Sequence, residues 1–299
     1  MAVYKRSYKP YEGVFTPLRW RFLVIPRFAI GSLFESRPLL TFYMASFAPA
    51  LVAAAFIYLV NSPTAQALIG LSDQTFLKVN GFFFEKYLAV QAFFCFLFTA
   101  WVGPGLMSVD FANDALPLYL SRPFTRTDYL LGKLTVVAGL LSTITWVPAL
   151  LLFAFQSSMA GPKWLWDNLY IGSAILLGSL VWIAVLSMLV LAVSAWIRWK
   201  VAATAVMVGI FFMVPGFGEA FNEVLRTNWG KLLNLGYLIG RIWNDLFRVE
   251  SQVRPVFPRD VAARFRDVPV WSAWLVLTVV VLLSLWALNK KLKPREIVR

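Results

Sequence analysis

The chain has 299 residues, of which 60% are hydrophobic and 14% are charged, and its formal net charge is +13. A soluble domain carries roughly 25% charged and 45–50% apolar residues, so this composition excludes an ordinary soluble domain and indicates an all-α polytopic membrane protein. The positive charge does not indicate a nucleic-acid partner, because the basic residues gather at the termini and beside apolar segments, as in cytoplasmic parts of membrane proteins.

The residue types that build catalytic and metal sites are scarce. The chain has no histidine, which removes the commonest general base and the commonest metal ligand. Its one cysteine, Cys95, lies in an apolar run and cannot form an intrachain disulfide, so we interpret it as a small buried apolar residue. We therefore expect no catalytic residue, no metal and no cofactor in this chain.

Residues 1–38 predict a cytoplasmic basic tail followed by a helix that lies along the membrane surface. Pro26 suits the first turn of a helix. Four apolar residues then share one stripe, while Arg27, Ser32 and Glu35 lie elsewhere, as in an interfacial helix. The stripe consists of Ala29, Ile30, Leu33 and Phe34.

Six segments reach the length of about 20 apolar residues that is needed to cross the hydrocarbon core. They are 39–60, 87–109, 134–155, 169–197, 201–217 and 270–288, and together they predict a single transmembrane domain over 1–299. The second segment is interrupted by Gly103, Pro104 and Gly105. A proline removes one backbone hydrogen bond and glycines ease bending, so this triplet is either a packing kink or a hinge.

A polar segment, 110–133, separates the second and third predicted spans. Asp110, Asn113 and Asp114 are residue types that cap helix N-termini, so we expect them to open a short helix. Arg122 and Arg126 add guanidinium groups, which bind carboxylates well. The segment is too polar to cross a bilayer, and its pattern predicts a docking element for a soluble partner.

The distribution of lysine and arginine predicts that both termini are cytoplasmic. Basic residues are dense in the N-terminal segment and the C-terminal tail, whereas the links after the first and third spans hold only Lys78, Lys86 and Lys163. An even number of spans puts both termini on one side. The segment 110–133 is then cytoplasmic as well.

The long segment 218–267 is then extracytoplasmic, although it is rich in arginine. Its acidic residues offset most of that charge, and long loops follow the charge rule poorly. Apolar residues between positions 229 and 247 predict one or two amphipathic helices. These helices either lie on the outer surface or dip back between the spans.

The central parts of the six predicted spans contain no Asp, Glu, Lys, Arg or His. Ion-coupled carriers and intramembrane enzymes need such groups, so both classes are disfavoured. The polar side chains that are present either bond to their own or a neighbouring helix or line a weakly polar pathway. In the fourth span Gly172, Ser179, Ser187 and Ser194 share one sector, which predicts a helix-packing face.

The run LPLYLSRPFTRTDYLLGK, residues 116–133, resembles the cytoplasmic loop of ABC type-2 transporter permeases. That loop has a leucine-rich turn, Ser-Arg-Pro, a second arginine, and Tyr-x-x-Gly-Lys at the opening of the third span. The likeness extends to the basic N-terminal helix, the six spans, the long loop before the last span and the basic tail.

The resemblance implies the membrane permease subunit of an ABC exporter, which pairs with a second copy or a paralogue in the bacterial inner membrane. It also implies a separate ABC ATPase subunit that binds beneath the permease and holds ATP and Mg. This agrees with the sequence, which contains no phosphate loop of the form GxxxxGK[ST]. Membrane lipids surround the pair, and the cargo is expected to be amphipathic or hydrophobic. The implied coupling contacts are Asp110, Asp114, Leu116, Arg122 and Arg126.

One alternative from another class stays open. A chain with this layout also suits a non-transporting membrane anchor, or an assembly subunit of a larger envelope or respiratory complex. An ATPase with Walker motifs in the neighbouring reading frame favours transport. An envelope or respiratory gene cluster without one favours the anchor.

Overall fold

A computed structural model describes residues 17–68, 78–120, 124–253 and 268–292 of the chain. Every regular element among these residues is a helix, and they contain no strand. The α-helices are α1 Val24–Phe34, α2 Arg37–Ala45, α3 Ala48–Asn61, α4 Pro63–Leu68, α5 Gly81–Ala112, α6 Leu116–Leu120, α7 Arg126–Ile144, α8 Trp146–Ala160, α9 Pro162–Asp167, α10 Leu169–Trp196, α11 Lys200–Val208, α12 Val214–Leu225, α13 Leu235–Leu246, α14 Val249–Val253 and α15 Val270–Leu292. Short 3₁₀-helices precede α1 and α13, and a π-helical segment, Gly209–Met213, joins α11 to α12.

Within the described ranges, six helical stretches are long and apolar enough to cross a membrane, which confirms the predicted all-helical membrane fold. We number them span 1 Arg37–Asn61, span 2 Gly81–Ala112, span 3 Arg126–Ala160, span 4 Leu169–Trp196, span 5 Lys200–Leu225 and span 6 Val270–Leu292. All spans except span 4 extend beyond their predicted bounds, and spans 2, 3 and 5 extend the furthest. Hydropathy locates only the apolar part of a helix, whereas the hydrogen-bonded ladder continues into polar residues.

Spans 1 and 3 are each made of two helices with a short break between them. In span 3, Thr145 separates α7 from α8 with φ −97° and ψ −91°, three residues before Pro148. A proline within a helix cannot donate its backbone hydrogen bond and clashes with the preceding turn. The break before Pro148 avoids both costs, and α3 and α8 then pack side by side.

Span 4 is the centre of the bundle, because α10 packs against α5, α7, α13 and α15. Of the four residues of the predicted packing face, Ser179, Ser187 and Ser194 are buried and Gly172 is half-buried. Small side chains let neighbouring helices approach closely in a bundle. The close approach of α5 at Gly103 illustrates this, since a Cβ there would lie 2.2 Å from Val190 Cγ2 of α10.

The N-terminal helix α1 packs on α7. Gly132 allows this approach, because a Cβ at that position would lie 2.9 Å from Ile25 Cβ and 2.9 Å from the carbonyl oxygen of Phe22. The predicted stripe of Ala29, Ile30, Leu33 and Phe34 is partly buried against the core. The helix is therefore part of the bundle as well as amphipathic.

The segment 218–267 divides into the end of span 5 and a helix that returns to the bundle. Helix α12 continues to Leu225 and ends at Arg226, whose φ of 50° is left-handed. Helix α13 then packs against α5, α10 and α15. Trp243 Nε1 donates a hydrogen bond to the carbonyl oxygen of Gly178, 3.0 Å away, so α13 is inserted among the spans. Residues 254–267 of this segment lie outside the described residues.

Candidate functional site

The segment between spans 2 and 3 begins differently from the prediction. Asp110 lies in the last turn of α5 rather than before α6, because α5 continues to Ala112. Asn113 caps the C-terminus of α5 with its N–H on the carbonyl of Val109, and Asp114 follows with φ of 49°. Asp110, Asn113 and Asp114 thus end α5 and do not open α6. Asn and Asp tolerate such helix-end and left-handed conformations better than most residues.

A charged cluster joins the foot of span 2 to the foot of span 3. Lys133 Nζ lies 2.7 Å from Asp110 Oδ2, and the two side chains are 8% and 17% exposed. Tyr129 Oη donates a hydrogen bond of 2.7 Å to the same carboxylate oxygen. A shielded ion pair is worth most when further hydrogen bonds satisfy it. We call Asp110, Tyr129 and Lys133 the foot cluster.

Helix α6 rests on this cluster. Leu116 and Tyr119 are partly buried against the core, and the rings of Tyr119 and Tyr129 lie 5.4 Å apart between centroids. Burial, followed by the nearby Asp110 carboxylate, raises the pKa of Tyr119, so its hydroxyl stays neutral at physiological pH. Leu118, on the other face, is 71% exposed. The helix therefore has one face on the bundle and one face outward.

The end of the loop caps the start of span 3. Thr125 and Asp128 form a capping box, in which each side chain accepts a backbone N–H of the other residue. This arrangement satisfies free N–H groups at the start of a helix. Arg126, the first residue of α7, is exposed beside it. Arg122 lies outside the described residues.

At the candidate hinge in span 2, side chains of two other helices bond to the backbone around Pro104. We call Pro104 together with Ser194 and Thr204 the joint. Pro104 cannot donate to the carbonyl of Ala100, and Thr204 Oγ1 of α11 donates to that carbonyl instead, at 3.1 Å. Ser194 Oγ of α10 donates to the carbonyl of Pro104 and accepts from the N–H groups of Met107 and Ser108. Neighbouring serine and threonine side chains commonly replace helix hydrogen bonds that a proline removes.

The foot cluster and the joint lie on the same helix, about 9 Å apart along its axis for the six residues from Pro104 to Asp110. Gly103, Pro104 and Gly105 belong to one continuous helix, so the joint is a local opening of the ladder and not a break. Spans 4 and 5 supply the replacement hydrogen bonds. The arrangement links α6 through span 2 to the centre of the bundle.

Sequence reasoning missed a buried acidic residue at the other end of span 2. The predicted span starts at position 87 and therefore leaves Glu85 outside it, but Asn80 caps α5 at its start and the helix begins at Gly81. Glu85 is 4% exposed. The signal was present in the sequence as an acid inside an aromatic run, and burial of a carboxylate is costly enough to be informative.

No protein-family model matches the chain, and no curated protein matches it. The resemblance of residues 116–133 to ABC type-2 permeases therefore stays a prediction from the sequence.

Proposed function

We propose that this polytopic membrane protein is the permease subunit of an ATP-driven ABC exporter. In this proposal it pairs with a second copy or a paralogue, and a separate ATPase subunit binds at α6. The cargo is an amphipathic or hydrophobic molecule. The observation that carries the proposal is the foot cluster, which links spans 2 and 3 and supports one face of α6.

The foot cluster suits the transmission of force. Asp110 belongs to span 2 and Lys133 to span 3, and their ion pair joins the two helices. Tyr119 of α6 contacts the same cluster through the ring of Tyr129. Energetic coupling between distant sites travels through rigid helices and bonded networks. A partner that displaces α6 would move both spans together, and span 2 continues into the joint at Pro104.

The outward surface around α6 suits a protein partner. Asp114, Pro117, Leu118 and Arg126 are exposed and combine apolar groups with charges of both signs. Protein interfaces commonly have an apolar centre and a polar rim. ATP and Mg belong to the partner ATPase in this proposal, since the chain has no phosphate loop of its own.

The proposal is tested by purifying the tagged chain from native membranes in a mild detergent. We expect a soluble ATPase to copurify in a fixed ratio, and we expect ATP hydrolysis by the complex but not by the isolated chain. The matched control is a complex in which the catalytic glutamate of the partner's Walker B motif is changed to glutamine. It should assemble and not hydrolyse ATP.

Two results would overturn the proposal. One is steady ATP hydrolysis by the pure polypeptide. The other is a stable native complex that contains envelope or respiratory proteins and no ATPase, which would support the anchor or assembly role instead.

A further inference from the structure

A lateral cleft of about 260 Å³ lies at the α13 end of the bundle. Helices α5, α10 and α13 and the π-helical segment Gly209–Met213 form its walls. Half of the lining residues are aromatic, and Gly236 and Gly240 of α13 leave the space open. The aromatic lining residues are Phe93, Phe96, Trp182, Phe211, Phe212 and Trp243.

The aromatic walls are fixed by contacts with one another. The ring centroid of Phe96 lies 4.8 Å from that of Phe211 and 5.5 Å from that of Phe212. Trp182 meets Phe211 at 88° and Trp243 at 73°, both edge to face. The wide π-helical turn brings Phe211 and Phe212 to the same cleft, and such turns are frequent at functional sites. The cleft is therefore formed before any ligand arrives.

Glu85 supplies a carboxylate to this cleft and is 4% exposed. Its Oε2 lies 2.9 Å from Nζ of Lys86, the next residue, whose side chain is 58% exposed. That contact meets the distance of an ion pair, but Oε2 accepts no hydrogen bond of adequate geometry from any residue in the described ranges. A buried carboxylate is stable only when it is both paired and hydrogen-bonded. Glu85 thus retains capacity for another donor.

Trp182 supplies the complementary group. The residue is 4% exposed and lines the cleft, and its Nε1–H donates to no acceptor among residues 17–68, 78–120, 124–253 and 268–292. Buried tryptophan N–H groups usually find a partner. Two residues that line the cleft therefore carry an acceptor and a donor that make no hydrogen bond of adequate geometry within the described ranges.

We infer that this cleft binds an amphipathic cation, with its ammonium group at Glu85, an oxygen atom at Trp182 Nε1 and its apolar part between the aromatic rings. An ammonium group is attracted both by the carboxylate and by the faces of aromatic rings. Phe93 and Phe212, 55% and 59% exposed, mark the open side through which a longer chain would extend. The site does not depend on ATP-driven transport and stands beyond the proposed function.

The size of the cleft limits what it holds. Sites for drug-sized ligands measure about 300–1,000 Å³, and this cleft is slightly smaller. It accommodates the head of an amphiphile and the atoms next to it. Small water-soluble probes are therefore suitable, and they also avoid partitioning into lipid.

The test uses the full chain in nanodiscs of neutral lipid and three probes of one shape. They are 2-phenoxyethylamine, which is a cation at neutral pH, 2-phenoxyethanol, which is neutral, and phenoxyacetate, which is an anion. We expect the cation to bind about tenfold more tightly than the alcohol, and the anion not to bind. Equal binding of the cation and the alcohol would overturn the assignment.

Three single-residue variants test whether the Glu85 carboxylate binds the cation. We expect Glu85→Gln to weaken binding of the cation about tenfold, while Glu223→Gln, which removes an exposed carboxylate of α12, leaves it unchanged. Lys86→Gln removes an exposed competitor for the same carboxylate, so it should tighten binding. Weaker binding in Lys86→Gln, or unchanged binding in a folded Glu85→Gln, would contradict the inference.

The role of Trp182 is tested with a fourth probe. In 3-phenylpropylamine a methylene group replaces the ether oxygen of 2-phenoxyethylamine, so it cannot accept a hydrogen bond. We expect the ether to bind more tightly in the unmodified chain and the difference to disappear in Trp182→Phe, which keeps a ring and loses the N–H. A difference that persists in Trp182→Phe would show that the oxygen binds elsewhere.

Discussion

At the scale of single residues, the joint in span 2 depends on two hydroxyl groups from other helices. The Thr204 hydroxyl donates a hydrogen bond to the carbonyl of Ala100, which Pro104 cannot reach with an N–H of its own. The Ser194 hydroxyl donates to the carbonyl of Pro104 on the next turn. Each bond spans about ninety to a hundred residues of sequence. No local pattern reveals such a partnership, so from the sequence alone the Gly-Pro-Gly triplet is either a packing kink or a hinge.

Ser194→Ala tests the joint. It leaves the N–H groups of Met107 and Ser108 without the hydroxyl that accepts them. The variant removes three hydrogen bonds of the Ser194 hydroxyl, and one hydrogen bond contributes about 0.5–1.5 kcal/mol, so we expect the free energy of unfolding in detergent to fall by about 2 kcal/mol. The matched control is Ser187→Ala, on the same helix, because the buried hydroxyl of Ser187 makes no hydrogen bond to a described residue. A loss as large in the control would remove the special role of Ser194.

The foot cluster gives a second test at this scale. Lys133→Met leaves Asp110 shielded without its cation, and breaking a buried pair costs about 3–5 kcal/mol. Because Asp110 is 17% exposed, we expect a smaller loss, about 2 kcal/mol. The double variant Asp110→Asn, Lys133→Met should recover most of this stability, as measured by thermal unfolding. A double variant no more stable than the single one would mean that the charges do not interact.

At the scale of elements, hydropathy predicted the six spans but could not predict how they end or pair. Length and apolar content are local properties, so the existence of each span could be read from composition. Span 2 starts at Gly81 and not at 87 because Asn80 caps it, and this change brings Glu85 into the bundle. The two readings of the 229–247 region differed only in tertiary packing, and the contact of Trp243 with Gly178 decides for insertion.

Gly178→Ala tests the seating of α13. A Cβ at Gly178 would lie 2.9 Å from the Trp243 ring, whereas a Cβ at Gly139 of α7 would meet no atom within 4 Å. Overpacking costs about 1–3 kcal/mol, so we expect Gly178→Ala to destabilise the protein. Gly139→Ala should be neutral or stabilising, because alanine favours a helix over glycine by about 1 kcal/mol. Equal stability of the two variants would mean that α13 is not held at this position.

The surface around α6 is tested by changes that spare the fold. Arg126→Glu places an acid at a helix N-terminus, where it is favourable, and Asp114→Asn keeps a residue that tolerates φ of 49°. If an ATPase binds here, we expect both to reduce partner binding, because altered charges at an interface cost up to several kcal/mol. Arg27→Glu, at an exposed position of α1, is the control. Full partner binding by both loop variants would exclude this surface.

At the scale of the whole molecule, span 2 connects two ends that lie about 48 Å apart, since it has 32 residues. Gln252 of α14 accepts the N–H of Phe82 at one end, and α6 follows the other. The charge distribution predicts that α6 is cytoplasmic and α14 external. The orientation is inferred from the distribution of basic residues, because helices pack in the same way whichever end of the bundle faces the cytoplasm.

Thiol labelling measures the orientation. In a Cys95→Ala background we expect Ser251→Cys, at an exposed position of α14, to react with an impermeant reagent in intact cells. Leu118→Cys should react only after the membrane is permeabilised. The reverse pattern would invert the topology and separate α6 from any cytoplasmic ATPase.

The central claim is that a soluble ATPase binds the exposed face of α6. The most direct measurement attaches a photoreactive crosslinker to Leu118→Cys in the Cys95→Ala chain, in native membranes, and identifies the product by mass spectrometry. Arg27→Cys in the same background, on α1, is the control. We expect a product with a protein that carries Walker motifs from Leu118→Cys and a much weaker one from the control. Products that contain only proteins without nucleotide-binding motifs would contradict the claim.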